Sequence, residues 1–124
     1  MDEILMSFGK RFLNALARND TTTTRQLLAT LDLEETSLVF ANRKDREFRL
    51  ERFAACFQSL GIGQVFVIGD HPALCKRIFH AHGVEALSLP FPEIVARARQ
   101  NVVLTGNIKG EGQRLWAFLK EHAV

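Results

Sequence analysis

The chain has 124 residues, 47% of them hydrophobic and 24% charged, with a formal net charge of +2. That length and balance describe one folded globular domain and exclude a disordered chain. So small a net charge leaves no footprint for nucleic acid. Nothing approaches the ~20 continuous apolar residues of a membrane span or the basic-then-apolar start of a secretory leader. The two cysteines, Cys56 and Cys75, fall in segments that read as helices and form no ligand spacing with histidine. They are expected to be buried free thiols of a cytoplasmic protein, not a zinc site.

Short apolar runs alternate with amphipathic stretches, the pattern of strand–helix units feeding a mostly parallel sheet. A first strand is expected over residues 11–17, ending in the polar run Asn19-Asp20-Thr21-Thr22-Thr23-Thr24. A carboxylate or hydroxyl there can accept a free backbone N–H and cap a helix over residues 25–31. Residues 37–41, Ser-Leu-Val-Phe-Ala, form a second strand apolar enough to be buried on both faces. After Asn42 a charged turn leads into a long helix in which Phe48, Phe53, Phe57 and Leu60 recur at near-helical spacing as a core stripe, closed by Gly61 and Gly63. In the same run Arg43, Lys44, Arg46, Arg49 and Arg52 alternate with Asp45, Glu47 and Glu51. This reads as a solvated face pairing locally at three- and four-residue spacing.

Residues 64–69, Gln-Val-Phe-Val-Ile-Gly, carry the strongest strand signal. Asp70 is a candidate cap for the next helix, with Pro72 in a first turn that needs no N–H. Leu74, Ile78 and Phe79 are expected to face inward and Gly83 to close that helix. A weaker strand at residues 86–89 and a helix after Pro92 through Ile94, Val95 and Ala98 follow. Residues 101–105 are the last strand, the turn spans Gly106 to Gly112, and a final helix carries Leu115, Trp116, Phe118 and Leu119. The expected fold is a three-layer α/β sandwich on a sheet of five or six strands, in one domain.

In open parallel sheets ligands meet the loops beyond the carboxyl ends of the strands. Here those loops carry Asn19 and Asp20; Asn42, Arg43, Lys44, Asp45 and Arg46; Asp70 and His71; and Gly106, Asn107, Lys109 and Gly110. Turn chemistry alone also favours Asn, Asp and Gly in such places. The glycine turn lacks the Lys-Ser/Thr pair of a phosphate loop and follows the last strand, so it is no ATP-hydrolysing loop. Its N–H groups and Lys109 could hold an anion at a helix N-terminus, and a plain turn fits equally. No Gly-x-Ser-x-Gly elbow is present. Cys75, mid-helix near His71 and His80, reads as a core thiol, and His80 and His82 cannot share a helix face for a metal.

Three of these loops, in order, resemble the Mur-type ATP-dependent amide ligases, and most closely the ligase subunit of poly-γ-glutamate (capsule) synthases. The stretch through Ala17-Arg18-Asn19-Asp20-Thr21 is similar to that subunit's Ala-Asn-Asp segment. Val39-Phe40-Ala41-Asn42-Arg43-Lys44-Asp45-Arg46 is similar to its strand leading into Asn-Cys-Arg-x-Asp-Arg, and Gly106-Asn107-Ile108-Lys109-Gly110 to its Gly-Asn-Ile-x-Gly loop. Val67-Ile68-Gly69-Asp70 falls where that family has an Ile-Gly-Glu-like strand end. The resemblance covers only the C-terminal domain, which is Rossmann-like. The N-terminal phosphate loop and central domain that bind ATP and magnesium are missing from these residues.

The resemblance implies a domain that closes over nucleotide and incoming amino acid while a carboxylate is phosphorylated and attacked by an amine. It implies that Asn19 and Asp20 sit near the nucleotide and that Arg43 and Arg46 bind carboxylate or phosphate oxygens. Gly106, Asn107 and Gly110 would allow close backbone approach, with Asn42, Asp45, Asp70 and Lys109 beside them. It further implies ATP and magnesium in the complete ligase but held by another domain, in the same or a separate chain. Partnership with membrane-embedded capsule synthase subunits and inertness when alone are also implied. The competing reading is a stand-alone, non-catalytic binding module of the same fold. Self-association is left open.

Overall fold

A computed structural model describes residues 3–18 and 20–123. The chain opens with a hairpin of β1 (Glu3–Ser7) and β2 (Lys10–Asn14), where a single strand over residues 11–17 is expected. Phe8 and Gly9 make its two-residue turn, both with positive φ (52° and 73°), as a twist-matched hairpin turn requires. Phenylalanine is unfavourable there. It is held by stacking on Phe118 (5.5 Å) and His122 (4.7 Å). β2 stops early because Asn14 Oδ1 accepts the N–H of Leu16 at 3.0 Å and turns the chain.

Helix α1 (Thr21–Leu28) starts four residues before the expected position, with the threonine run as its first turn. The cap is Asp20, whose carboxylate accepts the Thr23 N–H at 2.7 Å. β3 (Thr36–Asn42) is almost wholly buried, as expected of a central strand. The long helix expected next is divided into a 3-10 segment, Lys44–Arg49, and α2 (Leu50–Ser59). The tighter 3-10 turn shifts the angular phase of the side chains. Phe48 thus leaves the core stripe and is 65% exposed, while Leu50 takes the inward position. Phe53 and Phe57 are buried as expected.

β4 (Gln64–Gly69) matches its expected bounds. In α3 (Pro72–Ala81) the capping position is His71, at φ 51°, and not Asp70. Phe79 is buried in the core, whereas Leu74 and Ile78 are only partly covered. β5 (Glu85–Ser88), α4 (Phe91–Arg97), β6 (Asn101–Gly106) and α5 (Glu111–Glu121) complete the chain. Pro92 therefore lies inside the first turn of α4, and Gly112 inside α5 instead of the preceding turn. Among the described residues no helix is long and apolar enough to cross a membrane.

The described strands form one six-stranded sheet in the order β1-β2-β6-β3-β4-β5, parallel throughout except for the β1–β2 hairpin. α1, α2 and α3 pack on one face, around Phe40, Phe53, Phe57 and Phe79. α4 and α5 cover the other, around Phe12, Ile94, Leu104 and Leu115. Each fully buried side chain of this size contributes roughly 1.5–3 kcal/mol. The result is the expected three-layer, Rossmann-like α/β sandwich.

Candidate functional site at the carboxyl edge of the sheet

Parallel strands end together, so β6, β3 and β4 deliver Gly106, Asn42 and Gly69 to one edge. From β3 the chain passes to the face covered by α2, and from β6 to the opposite face covered by α5. Where neighbouring strands diverge in this way, a crevice opens at their carboxyl ends.

The crevice is pinned from both sides. The Ala41 carbonyl accepts both the backbone N–H of Asn107 (2.9 Å) and its side-chain Nδ2 (3.2 Å). The next carbonyl, of Asn42, accepts the N–H of Asp70 at 3.0 Å, and Asn42 Nδ2 donates back to the Asp70 carbonyl at 2.8 Å. The Asp70 carboxylate accepts the Lys44 N–H at 2.9 Å, which is why it does not cap α3. Asn42 and Asn107 are 3% and 6% exposed. Asn42 Oδ1 is buried without a hydrogen-bond partner, a cost of about 1–3 kcal/mol of the kind kept at functional sites.

Two glycines make this close weave sterically feasible. Gly69 and Gly106 have φ of +97° and +95°, and a Cβ on either would overlap the facing carbonyl oxygen, of Asn42 and Ala41 respectively. Gly112, in the first turn of α5, is packed on the Asn107 carbonyl in the same way.

The charged residues stand around this frame. Arg43 is ion-paired to Asp45 at 2.7 Å. Arg46 is exposed at the irregular point of the 3-10 segment (φ −129°, ψ 20°). Lys109 is exposed on the turn, and Gly110 opens α5. Local pairing at three- and four-residue spacing does not occur in the run from Arg43 to Arg52. Its other acids reach across to α3 and its end: Glu47 to His71 Nδ1 at 2.7 Å, and Glu51 to His82 Nε2 at 2.5 Å.

Asp20 lies at the same edge but on the α1–α2 side. There it lines a separate concavity of about 290 Å³ with Thr21, Thr22, Phe48, Arg49 and Arg52. The Thr23 N–H holds its carboxyl below the ordinary carboxylate range. Asn19 lies outside the described residues. A further concavity of about 470 Å³ runs from Gly69 past Ser88, Leu89, Pro90 and Phe91 to Glu111. Sequence reasoning missed Glu111, whose only signal is its place directly after the Gly110 turn. Cys75 is fully buried, and burial, reinforced by the charge of Glu47, pushes its thiol up to about 12. It stays protonated at neutral pH and is no nucleophile there.

The arrangement can present amide and guanidinium donors to anionic oxygens. No curated protein matches the chain. Residues 6–122, nearly its whole length, match the family model of the poly-gamma-glutamate synthase CapB C-terminal domain. The strand ends at Asn42, Gly69 and Gly106 all fall inside that match. The chain belongs to the poly-gamma-glutamate synthase CapB C-terminal domain family.

Proposed function

We propose that the chain is the closing lobe of an ATP-dependent carboxylate–amine ligase of the poly-γ-glutamate synthase type. The observation that carries the reading is the pinned crevice between β3 and β6, with Asn42, Arg43 and Arg46 on one lip and Asn107 and Lys109 on the other. Bound ATP would supply the phosphoryl group that activates a carboxylate. The donor set fits such a group: guanidinium, ammonium and turn N–H groups suit phosphoryl and carboxylate oxygens. Asn107, fixed by two bonds to one carbonyl, orients the turn. Arg43 and Arg46 bind anionic oxygens and stabilise charge on closure. Asp20 faces its own concavity and caps α1 through Thr23. Phosphoryl transfer depends mainly on positioning and charge, so a lobe without a nucleophile can still be indispensable.

In this reading ATP and magnesium are held by a separate ATP-binding domain, of the same or another chain. The assembly works in the cytoplasm against membrane-embedded synthase subunits, and the lobe alone is inert. The test mixes the chain with a matching ATP-binding half and follows glutamate-dependent ADP release. Release is expected from the mixture and from neither piece alone. No release from two folded pieces would replace this reading with a non-catalytic module.

A further inference from the structure

Between Arg43 and Arg52 the chain carries five cations and three anions, and the three anions are all engaged. Asp45 takes Arg43, while Glu47 and Glu51 are drawn to His71 and His82. Among the described residues this leaves Lys44, Arg46, Arg49 and Arg52 with no carboxylate partner, and of these Arg49 and Arg52 stand together. Both line the concavity of about 290 Å³ with the exposed ring of Phe48. The Arg49 guanidinium lies over that ring, 5.6 Å from its centroid, which restricts its motion. The acid sharing the concavity, Asp20, is occupied by the N–H and hydroxyl of Thr23, at 2.7 and 3.1 Å.

From this juxtaposition we infer that Phe48, Arg49 and Arg52 form a docking groove for the γ-linked glutamate chain itself. The groove would be a subsite for the polymer, separate from the crevice between β3 and β6. It rests on the proposed ligase reading for its choice of occupant, and on charge complementarity for its fit. A γ-glutamyl chain alternates one carboxylate with two methylenes. Standard bond lengths put successive carboxylates roughly 6 Å apart when extended. Arg49 ends the 3-10 segment and Arg52 lies three residues on, in the first turn of α2, and both line the same concavity. Their long side chains reach successive carboxylates as planar forks. The Phe48 ring covers the methylenes between them, a surface that a simple anion would leave unused.

The test is fluorescence anisotropy of a labelled γ-linked glutamate oligomer with the full chain. Binding is expected to weaken as salt rises. It should fall at least about tenfold in Arg49→Gln/Arg52→Gln, since each charge-assisted contact carries a factor of that order. Phe48→Ser should weaken it by less. Thermal unfolding of each variant serves as the folding control. Unchanged affinity in the folded double variant, or no binding by the parent chain, overturns the inference. So does capture of phosphatidylserine vesicles in place of the oligomer, which would make the patch a membrane surface. ADP release separates the two readings. Oligomer binding without reconstituted release sinks the ligase reading alone, and release without oligomer binding sinks the groove alone.

Discussion

Replacing Gly106 by alanine tests whether the weave at the sheet edge is as tight as the geometry requires. The residue has φ +95°, and an added Cβ would fall within 3.0 Å of two Ala41 backbone atoms, the carbonyl oxygen and the nitrogen (2.9 Å). Neither belongs to a flexible side chain, so β3 or β6 must shift. The left-handed conformation alone costs about 1–2 kcal/mol in an L-residue, and overpacking adds about 1–3 kcal/mol. Gly61 is the internal control: it has φ +75° but nothing within 4 Å of its Cβ position, so Gly61→Ala should lose only the first contribution. Urea unfolding read from Trp116, the single tryptophan and 8% exposed, gives both losses on one scale. Gly106→Ala should be the less stable by about 1–3 kcal/mol. Equal losses at the two positions would refute the claim that backbone crowding shapes the crevice.

Other outcomes follow from single groups. Arg43→Ala and Arg46→Ala should each abolish ADP release by the reconstituted ligase while moving the melting temperature little, because the Arg43–Asp45 pair is exposed and such pairs contribute about 0–1 kcal/mol. A large thermal loss would make them structural. The Cys75 thiol, pushed up to about 12 in the fold from 9.0, ionises first in the unfolded chain. Stability is therefore unaffected below about pH 9 and falls as pH rises from there toward 12. Cys75→Ala should flatten that decline, and thiol reagents should modify Cys75 only on unfolding. A fast reaction in the native state would contradict its burial. Asp20→Ala should lower the melting temperature by removing the α1 cap, and Asp20→Asn, still an acceptor, by less. Equal effects would mean that the Asp20 contact to Thr23 does not hold the helix.

What could be read from the residues alone was whatever depends on local pattern. β4 is a continuous apolar run, and its bounds came out as expected. The polar strand ends at Asn42, Asp70 and Gly106 likewise announce an edge, because parallel strands must put their carboxyl ends together. The hairpin was not legible, since Phe8 is a poor turn residue and its positive φ is stabilised by rings more than 100 positions along the chain. Phe48 misled for a related reason. A helical period places it in the core, and only the 3-10 segment releases it to solvent. The side of the sheet on which each loop lands is a property of topology. That is why Asp20, expected on the ligand edge with the other strand-end loops, borders its own concavity with Arg49 and Arg52.

That separation bears on how the proposed closing lobe would work. The crevice between β3 and β6 is tied by backbone hydrogen bonds and by glycines that admit no side chain, so its backbone frame is fixed before any ligand arrives. A rigid frame limits the reorganisation needed as charge develops beside it. The concavity beside α2 is built differently, from long arginines and one exposed ring. Such side chains adapt to a flexible chain better than to a transition state. A rigid crevice for the proposed chemistry and a compliant groove for the inferred polymer make different physical demands. Placing them at separate points along one edge of one sheet lets each be met without loosening the other.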